Sequence, residues 1–185
     1  ITPVVAQPER RPDPETAALL QRFASPPPLM VVFSGPAGVG KDSVLRRLRE
    51  RGLPYHFVVT TTDRPIRDGE VDGVDYHFVS TEAFRRLIDT DALLEYATVY
   101  DQHKGVPKAE VRQALQSGLD VIMRLDVQGA ATIRAKYPQA ISVFLAPPSV
   151  EVLLHRLRAR GGDSEEQLRC RLGTAVAELG RAREF

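Results

Sequence analysis

Gly35-Pro36-Ala37-Gly38-Val39-Gly40-Lys41-Asp42-Ser43 follows an unbroken apolar run, Leu29-Met30-Val31-Val32-Phe33. It leads into a pattern with Val44, Leu45 and Leu48 on one side and Arg46, Arg47, Arg49 and Glu50 on the other. Strand, glycine-rich loop and helix in that order are the context of a phosphate-binding loop. Glycines let the chain curl so that successive backbone amides point inward, and the helix that follows adds its positive end. Lys41 supplies a mobile charge for the outer phosphates. The stretch from Gly35 to Ser43 is therefore read as the binding loop for a nucleoside triphosphate, with Lys41 at its outer phosphates.

One position departs from the pattern. The residue after the lysine should carry a hydroxyl for Mg²⁺, and here it is Asp42, with Ser43 next. One residue along a helix is a rotation of about 100°, so Ser43 does not simply stand in. Asp42 either ligates Mg²⁺, which suits hard oxygen ligands, or repels the phosphates. The sequence leaves both open.

Working outward, 185 residues allow one sizeable core and are short for two. A composition 43% hydrophobic and 26% charged is ordinary for a soluble globular chain. The net charge of +1 gives no reason to expect nucleic acid or an anionic membrane as partner. Cys170 is the single cysteine, which excludes an internal disulfide and fits a reducing compartment. No apolar run approaches ~20 residues and no leader pattern is present, so a cytoplasmic protein without a membrane span is expected. The chain opens at Ile1 rather than Met and is read as a fragment or a trimmed chain.

Residues 1–14 hold four prolines and read as a flexible arm. Asp13-Pro14-Glu15 starts a short helix to about Phe23 that docks Leu19, Leu20 and Phe23. After the glycine loop the helix ends at Gly52. Strands are expected over 57–62, 76–79, 93–100, 121–126 and 141–145. Leu93, Glu95, Ala97 and Val99 are expected on one face of theirs. Ser80 caps a helix to about Thr90, Pro107 opens one to about Ser117, and Gly129 to Tyr137 forms another. Ser149 caps a helix to Arg160, Gly161-Gly162 ends it, and Ser164-Glu165-Glu166-Gln167 is a capping box. The last helix carries Leu168, Leu172, Val176 and Leu179 as its apolar stripe. Apolar strands alternating with helices make an α/β fold with a mostly parallel sheet. Ligands in such folds sit at the carboxyl ends of the strands, where the glycine loop, Thr60 to Thr62 and Asp126 fall.

Three further clusters carry chemistry. Arg64 and Arg67, three apart in a turn-rich segment beside Tyr76, make a phosphate clamp, or else a solvated surface pair. Glu95 lies on the apolar face of its strand, where a carboxylate is costly unless paired. Guanine offers adjacent N1–H and N2–H₂ donors that match two carboxylate oxygens, and adenine does not. The alternative is a twisted strand with Glu95 reaching water. Arg156 and Arg160 share a helical face, and Arg171 lies across the Gly161-Gly162 turn. Together they suit a lid closing over phosphates, or else salt bridges to Glu165 and Glu166.

From about Met30 to Phe185 the chain resembles the guanylate kinase family. The runs that carry the resemblance are Phe33 through Lys41, Arg64 through Tyr76, Leu94-Glu95, Leu125-Asp126-Val127-Gln128-Gly129, Pro147-Pro148-Ser149, and Arg156 through Arg171. The resemblance implies a P-loop core over 29–62 and 107–155, a GMP-binding subdomain over 63–106 and a lid over 156–171, with residues 1–28 an extension. It implies transfer of a phosphoryl group from MgATP to GMP. Arg64, Arg67 and Tyr76 match the family's ligands for the GMP phosphate, Glu95 its guanine ligand, and Thr60 a serine near the base. Asp126 matches the carboxylate between the nucleotides and a second candidate for Mg²⁺, and Glu70 matches another site residue. Arg156, Arg160 and Arg171 match the lid and catalytic arginines.

Where many members read Tyr-Tyr-Gly-Thr, this chain reads His103-Lys104-Gly105-Val106. Lys104 then takes the place of a tyrosine phosphate ligand, and Val106 that of a hydroxyl on guanine worth ~1 kcal/mol. Asp63 and Gly162 each replace a threonine. The family pattern continues beyond Phe185 with a core strand, an adenine-side Asn and a final helix, which this sequence does not contain. Two other functions remain open on the residues: a non-catalytic phosphopeptide-binding module of the same fold, and a P-loop kinase for another phosphorylated acceptor such as ribose bisphosphate. The intact glycine loop disfavours the first, and Glu95 with the Arg64–Tyr76 block disfavours the second.

Overall fold

A computed structural model describes residues 13–24, 26–99, 102–159 and 164–185. In chain order the elements are α1 (Pro14–Ala24), β1 (Met30–Ser34), α2 (Lys41–Glu50), β2 (Tyr55–Phe57), β3 (Thr61–Thr62), β4 (His77–Phe78), α3 (Thr81–Asp89), β5 (Leu93–Val99), β6 (Gln102–Pro107), α4 (Lys108–Gln116), β7 (Asp120–Arg124), α5 (Val127–Lys136), β8 (Ile141–Phe144), α6 (Val150–Ala159) and α7 (Glu165–Gly180), with a 3₁₀ turn at Ala182–Glu184. The arm over 1–12, Arg160 and the Gly161-Gly162 turn lie outside the described residues, as do Tyr100 and the side chain of Phe23.

Two sheets organise the chain. The first runs β2-β7-β1-β8, and each of its pairings is parallel. Its strands are the apolar runs expected of a buried parallel sheet, and Val32, Val121 and Met123 are fully buried. They pack with Val58, Val106, Val111 and Ile133 into the main core. The second sheet runs β4-β3-β6-β5. It is mixed: β3 and β4 are parallel, and β6 is antiparallel to both β3 and β5. Its strands span Thr61 to Pro107, nearly the stretch read from sequence as the acceptor-binding part.

Several expectations need correction. The single strand expected over 57–62 is two strands in two sheets, because the chain leaves the first sheet at Val58 and enters the second at Thr61. β6 went unread, since Gln102-His103-Lys104-Gly105-Val106-Pro107 lacks apolar alternation. Leu93 and Glu95 do not share a face. Leu93 pairs with Pro107 and Glu95 with Val106, so Leu94 is an extra residue in a β-bulge that turns Glu95 over. On the last helix Leu168 and Ala175 are buried, whereas Val176 is 51% exposed. Leu19 and Leu20 on α1 are more than half exposed rather than docked.

The caps follow the sequence. Ser80 Oγ accepts from the Ala83 amide at 3.1 Å. Ser164 and Gln167 form the expected reciprocal box. Asp126 caps α5, its Oδ1 accepting from Gln128 N at 2.8 Å and Gly129 N at 2.9 Å. None of the described helices is long and apolar enough to cross a membrane.

Candidate active site

A cavity of about 600 Å³ opens at the carboxyl ends of β1 and β7, with the glycine loop as one wall. Gly35 follows the last residue of β1 with φ 135°, and a β-carbon there would lie 2.3 Å from the Leu145 carbonyl oxygen. Only glycine lets the loop leave the sheet at this point. Lys41 opens α2, and its ammonium folds back onto the carbonyls of Gly35 and Pro36, the latter at 3.0 Å. Burial pushes its pKa down to about 8, with the Glu178 carboxylate opposing. The lysine is thus held against carbonyls that a triphosphate would replace with anionic oxygen.

Of the residues expected to bind the triphosphate, all from Gly35 to Ser43 except Pro36 line this cavity. Arg156 lines it as well and donates from Nη1 to Val39 O at 2.7 Å, which anchors α6 to the loop. Arg171 sits partly buried on α7 and does not line the cavity. Arg160 falls among the residues not described.

The opposite wall comes from the second sheet. Glu95 and Lys104 both line the cavity, on β5 and β6, on the face that the bulge presents. Glu95 is 3% exposed, and its Oε2 has no hydrogen-bond partner. Burial, joined by repulsion from Asp126, pushes its pKa up to about 8, with Lys136 opposing. Thr60, also 3% exposed, lines the same cavity, and its hydroxyl too is unpartnered. Buried polar atoms are normally bonded. Glu178 Oε2, on a third residue lining the cavity, is unpartnered as well and lies on the Lys41 side. Glu95 and Thr60 together describe a ligand edge that supplies donors to a carboxylate and a partner to a hydroxyl. Gly129 backs Glu95 from α5, which is why a glycine must end the Asp126-Val127-Gln128-Gly129 run.

The arginine clamp is arranged differently from its sequence reading. Arg64 is buried and does not line the cavity. Its Nη1 donates to Glu70 Oε2 at 2.7 Å and to Pro65 O at 2.8 Å, and Nη2 reaches Glu70 Oε1. Its guanidinium carbon lies 4.8 Å from the Tyr76 ring centroid. Burial raises the Glu70 pKa, but the Arg64 fork and the Arg67 amide outweigh it and hold the carboxyl below its usual range. Glu70 is therefore the partner that orients Arg64. Arg67 is exposed on the same loop, and Tyr76 reaches the cavity. Val106 is fully buried in the main core and off the cavity.

Two cavity residues escaped the sequence reading. Glu178 on α7 faces Lys41, and burial pushes its carboxyl pKa up against the pull of that lysine. In the sequence it sits beside the apolar stripe and reads as solvated. Arg124 ends β7 in an apolar run and reads as a strand terminus. It carries an ion pair to Asp42. Asp63 likewise accepts from His103 N at 2.7 Å and meets His103 Nδ1 at 2.6 Å. Asp42 and Asp63, two of the departures from the family pattern, each have a partner.

The family model for guanylate kinase matches residues 28–185. The chain is 45% identical over 176 residues to "Guanylate kinase 2, chloroplastic/mitochondrial" of Oryza sativa subsp. japonica, covering 91% of this chain and 62% of that protein. It is 47% identical over 158 residues to a guanylate kinase of Mycobacterium sp. (strain MCS), covering 84% and 80%. The crystal structure of guanylate kinase from Anaplasma phagocytophilum superposes with a TM-score of 0.70 at 28% identity, covering 85% of this chain and 73% of that one. The chain spans under two thirds of the rice relative and about four fifths of the mycobacterial one. With the glycine loop, the buried glutamate and the Asp126–Gly129 turn gathered on one cavity, the chain belongs to the guanylate kinase family.

Proposed function

We propose that this chain transfers the γ-phosphoryl group of MgATP to GMP, giving ADP and GDP. The observation that carries this reading is the pair of unpartnered buried atoms, Glu95 Oε2 and Thr60 Oγ1, on the same cavity as the phosphate loop. Ionised Glu95 accepts from guanine N1–H and N2–H₂, a donor pair that adenine lacks. Sites built this way reject the unmatched base by ~10⁴-fold or more.

On the donor side the amides from Gly38 to Asp42 cradle the triphosphate, and Lys41 leaves its carbonyls for the outer phosphates. On the acceptor side Tyr76 and Lys104 hold the GMP phosphate, with Arg64, oriented by Glu70, and Arg67 joining them. Arg156, and with it Arg160 and Arg171 of the lid, neutralises charge on the group in flight. No general base is needed, since the acceptor phosphate is already ionised, and positioning with electrostatics suffices. Residues 29–62 and 107–155 act as the core, 63–106 as the acceptor subdomain and 156–171 as the lid.

Mg²⁺ belongs to this reaction as the companion of ATP. Among the described residues no group of three or more His, Cys, Asp or Glu side chains is arranged to hold an ion. Mg²⁺ keeps several waters and needs only one or two carboxylates besides the phosphates. Asp126, a cavity carboxylate whose Oδ1 caps α5, would help hold it, whereas Asp42 is engaged by Arg124. When bound, the ion neutralises phosphate charge.

A coupled assay for ADP, run with MgATP and GMP, AMP, CMP, UMP or no acceptor, tests the reading. GMP-dependent ADP formation is expected. Its absence, or equal rates with AMP, refutes it.

A further inference from the structure

We propose that Arg124 is a further positioning residue for phosphoryl transfer, anchored by Asp42, and that the pair holds the acceptor loop at a fixed distance from the triphosphate loop; the proposal rests on the phosphotransferase reading above. Arg124 ends β7 with its side chain 11% exposed and lines the cavity. Its two arms go to different parts of the fold. Nη1 bonds Asp42 Oδ1 in the first turn of α2. Nη2 donates to Asp75 O at 2.9 Å, in the loop that presents Tyr76. The guanidinium carbon also stands 4.6 Å from the Tyr76 ring centroid and 5.7 Å from that of Phe57 on β2. One cation thus touches the helix of the phosphate loop, the edge strand of the first sheet and the acceptor loop. A planar fork with an apolar face makes these contacts together, and an ammonium does not.

The pairing also resolves what Asp42 does. A buried guanidinium is costly without a counter-charge, and Asp42 supplies it. Asp42 in turn sits beside the triphosphate loop with its charge offset by Arg124, so it neither repels the phosphates nor has to ligate Mg²⁺. Transfer depends steeply on the separation of donor and acceptor, and a misplacement of about 1 Å costs on the order of 100-fold. A rigid link between the two loops is where that separation is set.

A double-mutant cycle with Asp42→Ala, Arg124→Met and both tests the link in the full chain. Each single change is expected to lower kcat by about 10-fold or more. Asp42→Ala leaves the Kd of ATP measured alone within about 3-fold, whereas Arg124→Met, which uncovers the Asp42 charge beside the loop, raises it. The double variant falls no further than the worse single one, and the Mg²⁺ concentration for half-maximal rate is unchanged. Arg124→Lys, which keeps the charge and loses the fork, recovers only part of the rate. The urea midpoint of each variant is measured alongside its rate, since Asp42→Ala removes the counter-charge of a guanidinium 11% exposed. Should Arg124→Met not fold, Arg124→Lys runs the same cycle. Additive losses, an Arg124 variant with the wild-type rate, or a raised Mg²⁺ requirement confined to Asp42→Ala overturns the proposal. A wild-type chain without GMP-dependent turnover removes the transfer reading itself, and this proposal falls with it.

Discussion

Gly129 stands directly behind the Glu95 carboxylate: a β-carbon on Gly129 would lie 2.6 Å from Oε2 and 3.0 Å from Cδ. The two residues come from different sheets' surroundings, α5 of the core and β5 of the second sheet. Their contact fixes where the carboxylate points. Gly129→Ala is expected to displace Glu95 and raise the KM for GMP by about 10-fold or more, the loss of one charged hydrogen bond. The KM for ATP should stay within about 2-fold, since the added β-carbon meets Glu95 and not the phosphate loop. Steady-state kinetics with each substrate varied in turn checks the split, and an equal rise in both KM values contradicts it.

Two of the perturbed groups of the cavity, Glu95 and Lys41, predict proton movements of opposite sign. Glu95, with its pKa pushed up to about 8, is mostly protonated in the empty site at neutral pH and must ionise to receive guanine. GMP binding should therefore release a proton, and GMP affinity should rise with pH until about 8. Lys41, with its pKa pushed down to about 8, is about half deprotonated there and is charged once phosphates surround it. ATP binding near that pH should therefore take up a proton. Calorimetric titrations in two buffers of different ionisation enthalpy read both signs directly.

Stability follows the same linkage. Glu95 has an ordinary pKa of 4.5 in the unfolded chain and about 8 in the fold, so between those values the folded state holds a proton that the unfolded state has lost. Its contribution is fully present below the lower value and is lost as pH rises to the higher one, with a slope of about 1.4 kcal/mol per pH unit. Above about 8 the depressed Lys41 acts the other way, because there the unfolded chain binds the extra proton. Urea denaturation of the empty protein should show the decline over the lower window. In Glu95→Gln the decline should flatten.

Glu70→Ala leaves the Arg64 guanidinium buried without its carboxylate, the side chain of Arg64 being 4% exposed. The expected cost is about 2 kcal/mol, that of a buried charge losing its hydrogen bonds. Arg64→Met with Glu70→Met together should cost less stability than Glu70→Ala alone, while GMP turnover is lost in both. Urea midpoints and the coupled assay separate the two effects.

Much of the fold was legible because it lies in local pattern. The apolar run before Gly35, the lysine after the loop and the Ser164–Gln167 box each specify their element with neighbours in sequence. Glu95 was legible as a carboxylate on a buried strand, although the face was deduced by plain alternation and the bulge at Leu94 reverses it. What escaped depends on pairing across the chain. β6 is polar and takes its place from β3 and β5 on either side. Arg124 and Asp42 are 82 residues apart, and neither reads as half of a pair alone. Glu178 comes close enough to act on the Lys41 charge because α7 packs with α6 and Ala37 of the phosphate loop, through Leu153, Leu157 and Leu168.

The recognition of guanine by Glu95 is measured most directly by the ratio of kcat/KM for GMP over AMP in the wild-type chain and in Glu95→Gln. A wild-type ratio of ~10⁴ or more, falling by at least about 100-fold in the variant while the KM for ATP is held, is the predicted result. A ratio that Glu95→Gln leaves unchanged would contradict it.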